Sequence, residues 1–273
     1  MRRIVRLAFA GFLASVGAAR GEDTPTPPPF AEFVVIPIRV HLLSATDLPE
    51  VDCRLEDADI HRVLGKVNGI WQPAGIHWGL EALIREPAAR QDAFRKAREA
   101  DEEAAGRPAP LGLLRQLVPA ESRGPGGIDV YYVHEFEANG VYLGNRTAFV
   151  KDTARLRKVE GGIDEPLPRV TAHELGHALG LAHRQDTFNL LASGTTGTGL
   201  NAEEIRTARD KARVLPGALP APSLKADAEQ SAAKGDMARS RRFYTWLSEV
   251  PGGDRDEALR LRDALPEPAP PAP

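Results

Sequence analysis

Residues 173–183 read His-Glu-Leu-Gly-His-Ala-Leu-Gly-Leu-Ala-His, the pattern H-E-x-x-H-x-x-G-x-x-H. No other stretch constrains the fold as tightly. His173 and His177 are four apart, so on a helix they share one face, a turn from each other. Both imidazoles can then reach one metal at roughly 2.0–2.1 Å. A straight helix would carry His183 away from that point, so the chain must bend sharply first. Gly180 suits the bend, because glycine enters the left-handed conformation that ends helices without a Cβ clash. Three neutral imidazoles fill three corners of a tetrahedral zinc site and leave the fourth open for water. Glu174 borders that open corner, placed to take a proton from the water. Three of the chain's seven histidines fall in this one segment, and chance is a poor account of their spacing.

The segment resembles the zinc-binding signature of the metzincin metallopeptidases. That resemblance implies an α+β catalytic domain with a mixed twisted sheet, an edge strand at the cleft and a zinc helix. It implies Zn2+ held by His173, His177 and His183, with Glu174 as the general base. The substrate implied is a protein or peptide, extended along the strand Leu143 to Phe149 by strand addition. Asn189-Leu190-Leu191 stands where the family carries a tight turn with methionine below the metal. Leu191 takes the methionine's place, and the only methionines are Met1 and Met237. Leucine for methionine conserves volume. No tyrosine lies between Tyr142 and Tyr244, so the tyrosine that assists in some metzincin families has no counterpart here. The zinc and backbone donors would then carry the oxyanion. The resemblance spans roughly residues 33–214 and is specific over 173–194.

The ends of the chain differ in character from its middle. Arg2, Arg3 and Arg6 precede an apolar or small run from Leu7 to Ala19, and Ala19 and Gly21 supply small residues at −3 and −1 of a cleavage site, which reads as a secretory signal peptide over 1–21. A Pro-rich linker over 22–32 follows, then the zinc metallopeptidase domain over 33–215. Residues 216–273 form a helical and Pro-rich C-terminal extension, in which Met237, Phe243, Trp246 and Leu247 are candidates to pack on the domain. The location implied is secreted or periplasmic, with no membrane span after signal cleavage. A net charge of −3 and no dense Lys/Arg block give no reason to expect nucleic acid. Nothing in the sequence sets the oligomeric state.

Strands are predicted at Phe33–Leu43, from Ile76 to about Ile84, at 126–134 and over 140–150. A helix is predicted from Leu55 to Trp71, another over the zinc segment after Pro166 and Pro168, and a closing one after Asn201, whose spacing to Glu204 matches a capping box. Residues 86–117 read as one or two solvated surface helices. His41 reads as a strand-face residue. Two Gly-Gly-Ile-Asp copies, at 126–129 and 161–164, read as plain turns, with calcium binding the less favoured alternative. Asn145-Arg146-Thr147 fits a short glycosylation sequon. Cys53, the single cysteine, makes no internal disulfide and reads as a buried structural thiol; latency through a thiolate on the zinc is the alternative.

The function this implies is a zinc metalloendopeptidase, a hydrolase of peptide bonds. Three other readings stay open: a zinc-binding module that no longer cleaves, a zinc hydrolase of a non-peptide amide, and a structural domain without metal.

Overall fold

The computed structural model describes residues 26–105 and 110–266. The expected signal peptide and nearly all of the Pro/Ala terminus lie outside the described residues. The fold is α+β with a mixed sheet, built around strand β1 (Val34–Ser44). Its run of β-branched and leucine residues suits a pleated strand buried on both faces. β1 pairs in parallel with β2 (Ile76–Pro87) on one side and β3 (Ile128–Val133) on the other. Helix α1 (Asp57–Trp71) makes the crossover from β1 to β2 that parallel pairing requires. β6 (Leu219–Pro220) pairs antiparallel at Val34 and Val35, and β3 begins pairing at Ile38. Pro37, which has no N–H to give, falls between the two.

The sheet continues through β5 (Thr147–Lys151), parallel to β3, to β4 (Gly140–Gly144), antiparallel to β5 and at the sheet edge. This corrects the expected single strand over 140–150. Asn145 and Arg146 both take positive φ, 48° and 59°, and reverse the chain in a two-residue turn. The free edge is therefore Gly140–Gly144; most of the predicted cleft segment, Leu143 to Phe149, lies in the turn or inside the sheet.

Side-chain alternation along β1 sorts the core. Val34, Ile36, Ile38, Val40 and Leu42 face α1, α3 (Pro166–Ala178) and α4 (Ala202–Arg213), in one cluster with Val63, Trp71, Leu175 and Ala208. The opposite face has two separate covers. Phe33 and Val35 pack with Leu224 and Ala228 of α5 (Leu224–Ala233), with Phe243, Trp246 and Leu247 of α6 (Met237–Glu249) and with Ala258 of α7 (Arg255–Asp263). Leu43, Tyr131 and Phe149 pack with Phe94 of α2 (Gln91–Ala105) and with Leu114 and Leu117 of a 3-10 segment over Leu111–Leu117. The 86–117 insertion is thus more than a solvated surface: it buries three apolar anchors.

Between these covers His41 is fully buried. Its ring bridges Glu86 (2.6 Å) and Asp129 (3.3 Å) and stacks on Tyr131 at 4.3 Å. Asp129 also accepts from the Gly124 amide, so the first Gly-Gly-Ile-Asp copy serves the sheet. Cys53 is half-buried, and burial pushes its thiol up to about 12. No helix among the described residues is long and apolar enough to cross a membrane.

The ring of Trp246 closes over Gly79, where an added Cβ would come within 2.5 Å of it. Its indole N–H donates to the Leu80 carbonyl at 3.1 Å. Trp246→Ala opens a cavity against β2, and a loss of about 3–5 kcal/mol is expected in urea unfolding. An unchanged midpoint would show that α6 contributes nothing to the stability of the sheet.

Candidate metal centre

Helix α3 begins at Pro166, whose missing N–H would be unsatisfied at that position anyway. Glu165, just before it, pairs with Arg62 and Lys66 on α1 and fixes the entry of the chain. Leu167, Val170, Leu175 and Leu179 bury the helix in the main core. Its end is closed by two bonds: Leu181 N–H to Gly176 O and Gly180 N–H to His177 O, each 3.0 Å. This is the paired arrangement of a Schellman ending, with Gly180 at φ 82°. An added Cβ on Gly180 would meet no atom within 4 Å, so glycine is needed there for conformation and not for room.

The bend returns His183 to the helix. The Nε2 atoms of His173 and His177 are 3.1 Å apart, as are those of His177 and His183. Tetrahedral ligands at 2.0–2.1 Å would sit roughly 3.3 Å apart, so the spacing fits one small cation. The tautomers fit as well. His173 Nδ1 lies 2.8 Å from Leu190 O, and His177 Nδ1 lies 2.8 Å from Leu181 O. A carbonyl only accepts, so each Nδ1 carries the proton and each Nε2 turns a lone pair inward. Burial pushes His173 down to about 3 and lowers His177 too, which keeps both neutral. Among the described residues no other group of three histidines, cysteines or carboxylates converges in this way.

Under the histidines the chain makes the turn Asn189–Ala192. Ala192 N–H bonds Asn189 O at 3.1 Å, and Leu191 N–H bonds the Asn189 side chain at 2.7 Å. Leu191 is fully buried, its Cδ1 3.2 Å from where a Cβ on Gly176 would lie. Glu204 clamps this turn from α4: it accepts from Asn189 Nδ2 (2.8 Å), Arg184 Nε (2.7 Å) and the Asn201 amide (2.9 Å). The capping box read from the sequence is formed, and the same buried carboxylate ties α4 to the metal turn.

Arg169 has no part in the sequence reading, although it lies one helical turn before His173 on the same face. Its side chain is buried, and among the described residues no carboxylate pairs with it. The guanidinium donates to Gly197 O (3.0 Å), Asn189 O (3.3 Å) and Ala192 O, and Nη1 lies 3.2 Å from His173 Nδ1. It therefore holds the turn and the following loop against α3. Burial lowers the Arg169 pKa to about 10, which still leaves it charged at neutral pH.

Glu174 lies under the edge strand. The Tyr142 backbone donates to its carboxylate, and burial pushes that carboxyl up to about 8. A Cβ on Gly140 would come within 2.7 Å of Glu174 Oε1, so β4 must be bare at that point. A cleft of 710 Å³ opens here, lined by Gly140, Tyr142, Glu174, the three histidines and Ser193. The second Gly-Gly-Ile-Asp copy sits outside it: Gly162 packs on Thr196 and Asp164 is solvent-exposed.

No family model and no curated protein matches the sequence. Among solved structures the chain is similar to an archaemetzincin from Methanopyrus kandleri, at 14% identity and a TM-score of 0.41, over 68% of this chain and 98% of that one. It is also similar to a chain from a structure described as a chaperone-substrate complex, at 12% identity and a TM-score of 0.38, over 67% of this chain. The match spans about a third (34%) of that second chain. At such TM-scores neither likeness bears on the chemistry, which rests on the geometry above.

Two substitutions probe this geometry. Gly180→Ala forces a Cβ into a left-handed residue, at about 1–2 kcal/mol. A lower melting point of the metal-free protein and weaker zinc binding in a competition titration are expected. Arg169→Met leaves the buried Gly197 and Ala192 carbonyls without their donor and takes one of two donors from Asn189 O, and about 2–4 kcal/mol of stability should be lost in urea. Wild-type stability in Arg169→Met would show that the fork does not hold the turn.

Proposed function

We propose that this chain is an extracytoplasmic zinc-dependent endopeptidase of the metzincin type. One observation carries the reading: three imidazole lone pairs converge 3.1 Å apart beside the Glu174 carboxylate, in a cleft bordered by a sheet edge. The neutral three-nitrogen donor set suits zinc over harder cations, which prefer oxygen. His173, His177 and His183 would hold the ion and leave one position for water or substrate. When bound, zinc acidifies a coordinated water and polarises a carbonyl.

The chain's own groups do the rest. Glu174 accepts the proton of the attacking water and returns it to the leaving nitrogen. Its burial beneath β4 shields the carboxylate from bulk solvent, which suits a proton carrier. The Leu190 and Leu181 carbonyls fix the rings of His173 and His177, so the donors need not reorganise. The free edge of β4 offers backbone groups to an extended chain by strand addition. Gly140 lets that chain approach Glu174 without a side chain in the way. A protein or peptide substrate outside the cytoplasm follows from this edge together with the signal peptide read at 1–21.

Glu174→Gln is the direct test. Casein or peptide cleavage should fall by about 10²–10⁴-fold while zinc content stays near one per chain. Cleavage at the wild-type rate by Glu174→Gln would remove Glu174 from the mechanism. A wild-type protein that binds zinc yet cuts no peptide would leave the site as a binding centre only.

A further inference from the structure

A second pocket, of 470 Å³, lies at the far end of the edge strand. Its walls carry three arginines, Arg90, Arg115 and Arg123, against a single acid, Glu121. This is a local excess of positive charge on a chain whose net charge is −3. The arginines are unequal. Arg123 is committed to the hairpin: it donates to Asn145 O at 2.6 Å and to Thr147 Oγ1 at 3.3 Å. Arg115 donates through one nitrogen to Leu143 O, and its other donors meet no partner among the described residues. Arg90 has no side-chain partner among the described residues.

Backbone strain gathers at the same place. Among the described residues, three non-glycine residues have positive φ: Arg90 at 43°, Asn145 at 48° and Arg146 at 59°. Arg90 and Asn145 line the pocket, and Arg146 follows directly. The hairpin turn requires the two at Asn145 and Arg146, whereas Arg90 is held so outside any hairpin.

The pocket and the metal cleft draw on the same two elements. On β4, Gly140 and Tyr142 line the cleft while Gly144 lines the pocket. On the 3-10 segment, Leu111 lines the cleft while Arg115 lines the pocket. From Gly140, beside Glu174, to Gly144 is four residues of strand, or about 13 Å at ~3.3 Å per residue. A substrate extended along β4 would cover that distance with about four of its own residues.

We infer that this pocket is a specificity subsite for a carboxylate of the substrate, carried about four residues from the scissile bond and bound by Arg90 and Arg115. The inference rests on the peptidase reading for its place in the reaction, though not for binding itself. Two sources supply the same group: an internal Asp or Glu side chain, or the free carboxyl terminus of the substrate. Arginine suits either, since its planar fork matches a carboxylate.

The test uses the full zinc-loaded chain and a set of decapeptides with one common cleavable core. Glu, Ala or Lys is placed at each position three to five residues from the cut on either side, with free or amidated termini. Glu should exceed Lys in kcat/KM by about tenfold or more at one position on one side. Arg90→Glu/Arg115→Glu should reverse that order. Preference for Glu in amidated peptides assigns the side chain; preference only with a free terminus assigns the terminus. Cleavage without acidic preference at any of these positions, or an unreversed order in the double variant, overturns the subsite. Fluorescence polarisation of the labelled Glu peptide on Glu174→Gln chain reads binding without turnover. Binding that is lost in Arg90→Glu/Arg115→Glu, with no cleavage by the wild-type chain, keeps the subsite and sinks the peptidase reading. Equal binding of the Glu and Lys peptides sinks the subsite.

Discussion

The strand β1 must be buried on both faces, and the rest of the molecule answers that demand. Its alternating side chains enter different clusters on opposite sides of the sheet. The even-numbered side chains meet α1, α3 and α4, which places the histidine-bearing helix against the sheet. The odd-numbered ones would face solvent without the insertion between β2 and β3 and the last three helices. Each of those segments brings large apolar anchors: Phe94, Leu114 and Leu117 in one, Phe243, Trp246 and Leu247 in the other. Where the two covers leave a gap, the strand places His41, which satisfies itself with Glu86 and Asp129. A buried imidazole between two carboxylates belongs to this seam and not to the metal site.

The metal centre is assembled by polar groups reaching across elements. Glu204 from α4 and Arg169 from α3 grip one short turn from two sides, and both act mainly on backbone or amide groups. Asn189 apart, such contacts tolerate change in the turn's side chains. They explain how Leu191 can stand where the resemblance called for methionine: it fills the space under Gly176 while the hydrogen bonds set the shape. The edge strand completes the site by omission, since Gly140 leaves the space that Glu174 occupies.

Much of this was legible in the sequence because it depends on local spacing. The i, i+4 histidines, the terminating Gly180 and the Asn201–Glu204 box are each set within a few residues. The α+β class was an expectation of the resemblance, while the residue patterns along 33–43 and 55–71 placed the first predicted strand and helix. What escaped the sequence depends on distant partners or on subtle turn chemistry. The hairpin at Asn145-Arg146 was hidden because neither residue is glycine, so the left-handed pair sent a weak signal inside an apolar run. Arg169 lay at a telling i−4 position, but an arginine on a helix normally reads as solvated. The packing role of 86–117 rests on three residues in a highly charged stretch, too few for a periodic pattern.

The cover of β1 by α5–α7 joins the first strand among the described residues to the last helices among them. Synthesis is vectorial, so Phe33 and Val35 are made long before Phe243 and Trp246 exist to shield them. A nascent chain carries that part of the sheet face uncovered for most of its production. Contacts of this sequence separation form late and slowly, and exposed strand surface invites association while they are missing. Completion of the fold must therefore wait for the C-terminal segment, and a protein cut short before α6 would be a substrate for quality control more than a smaller stable domain.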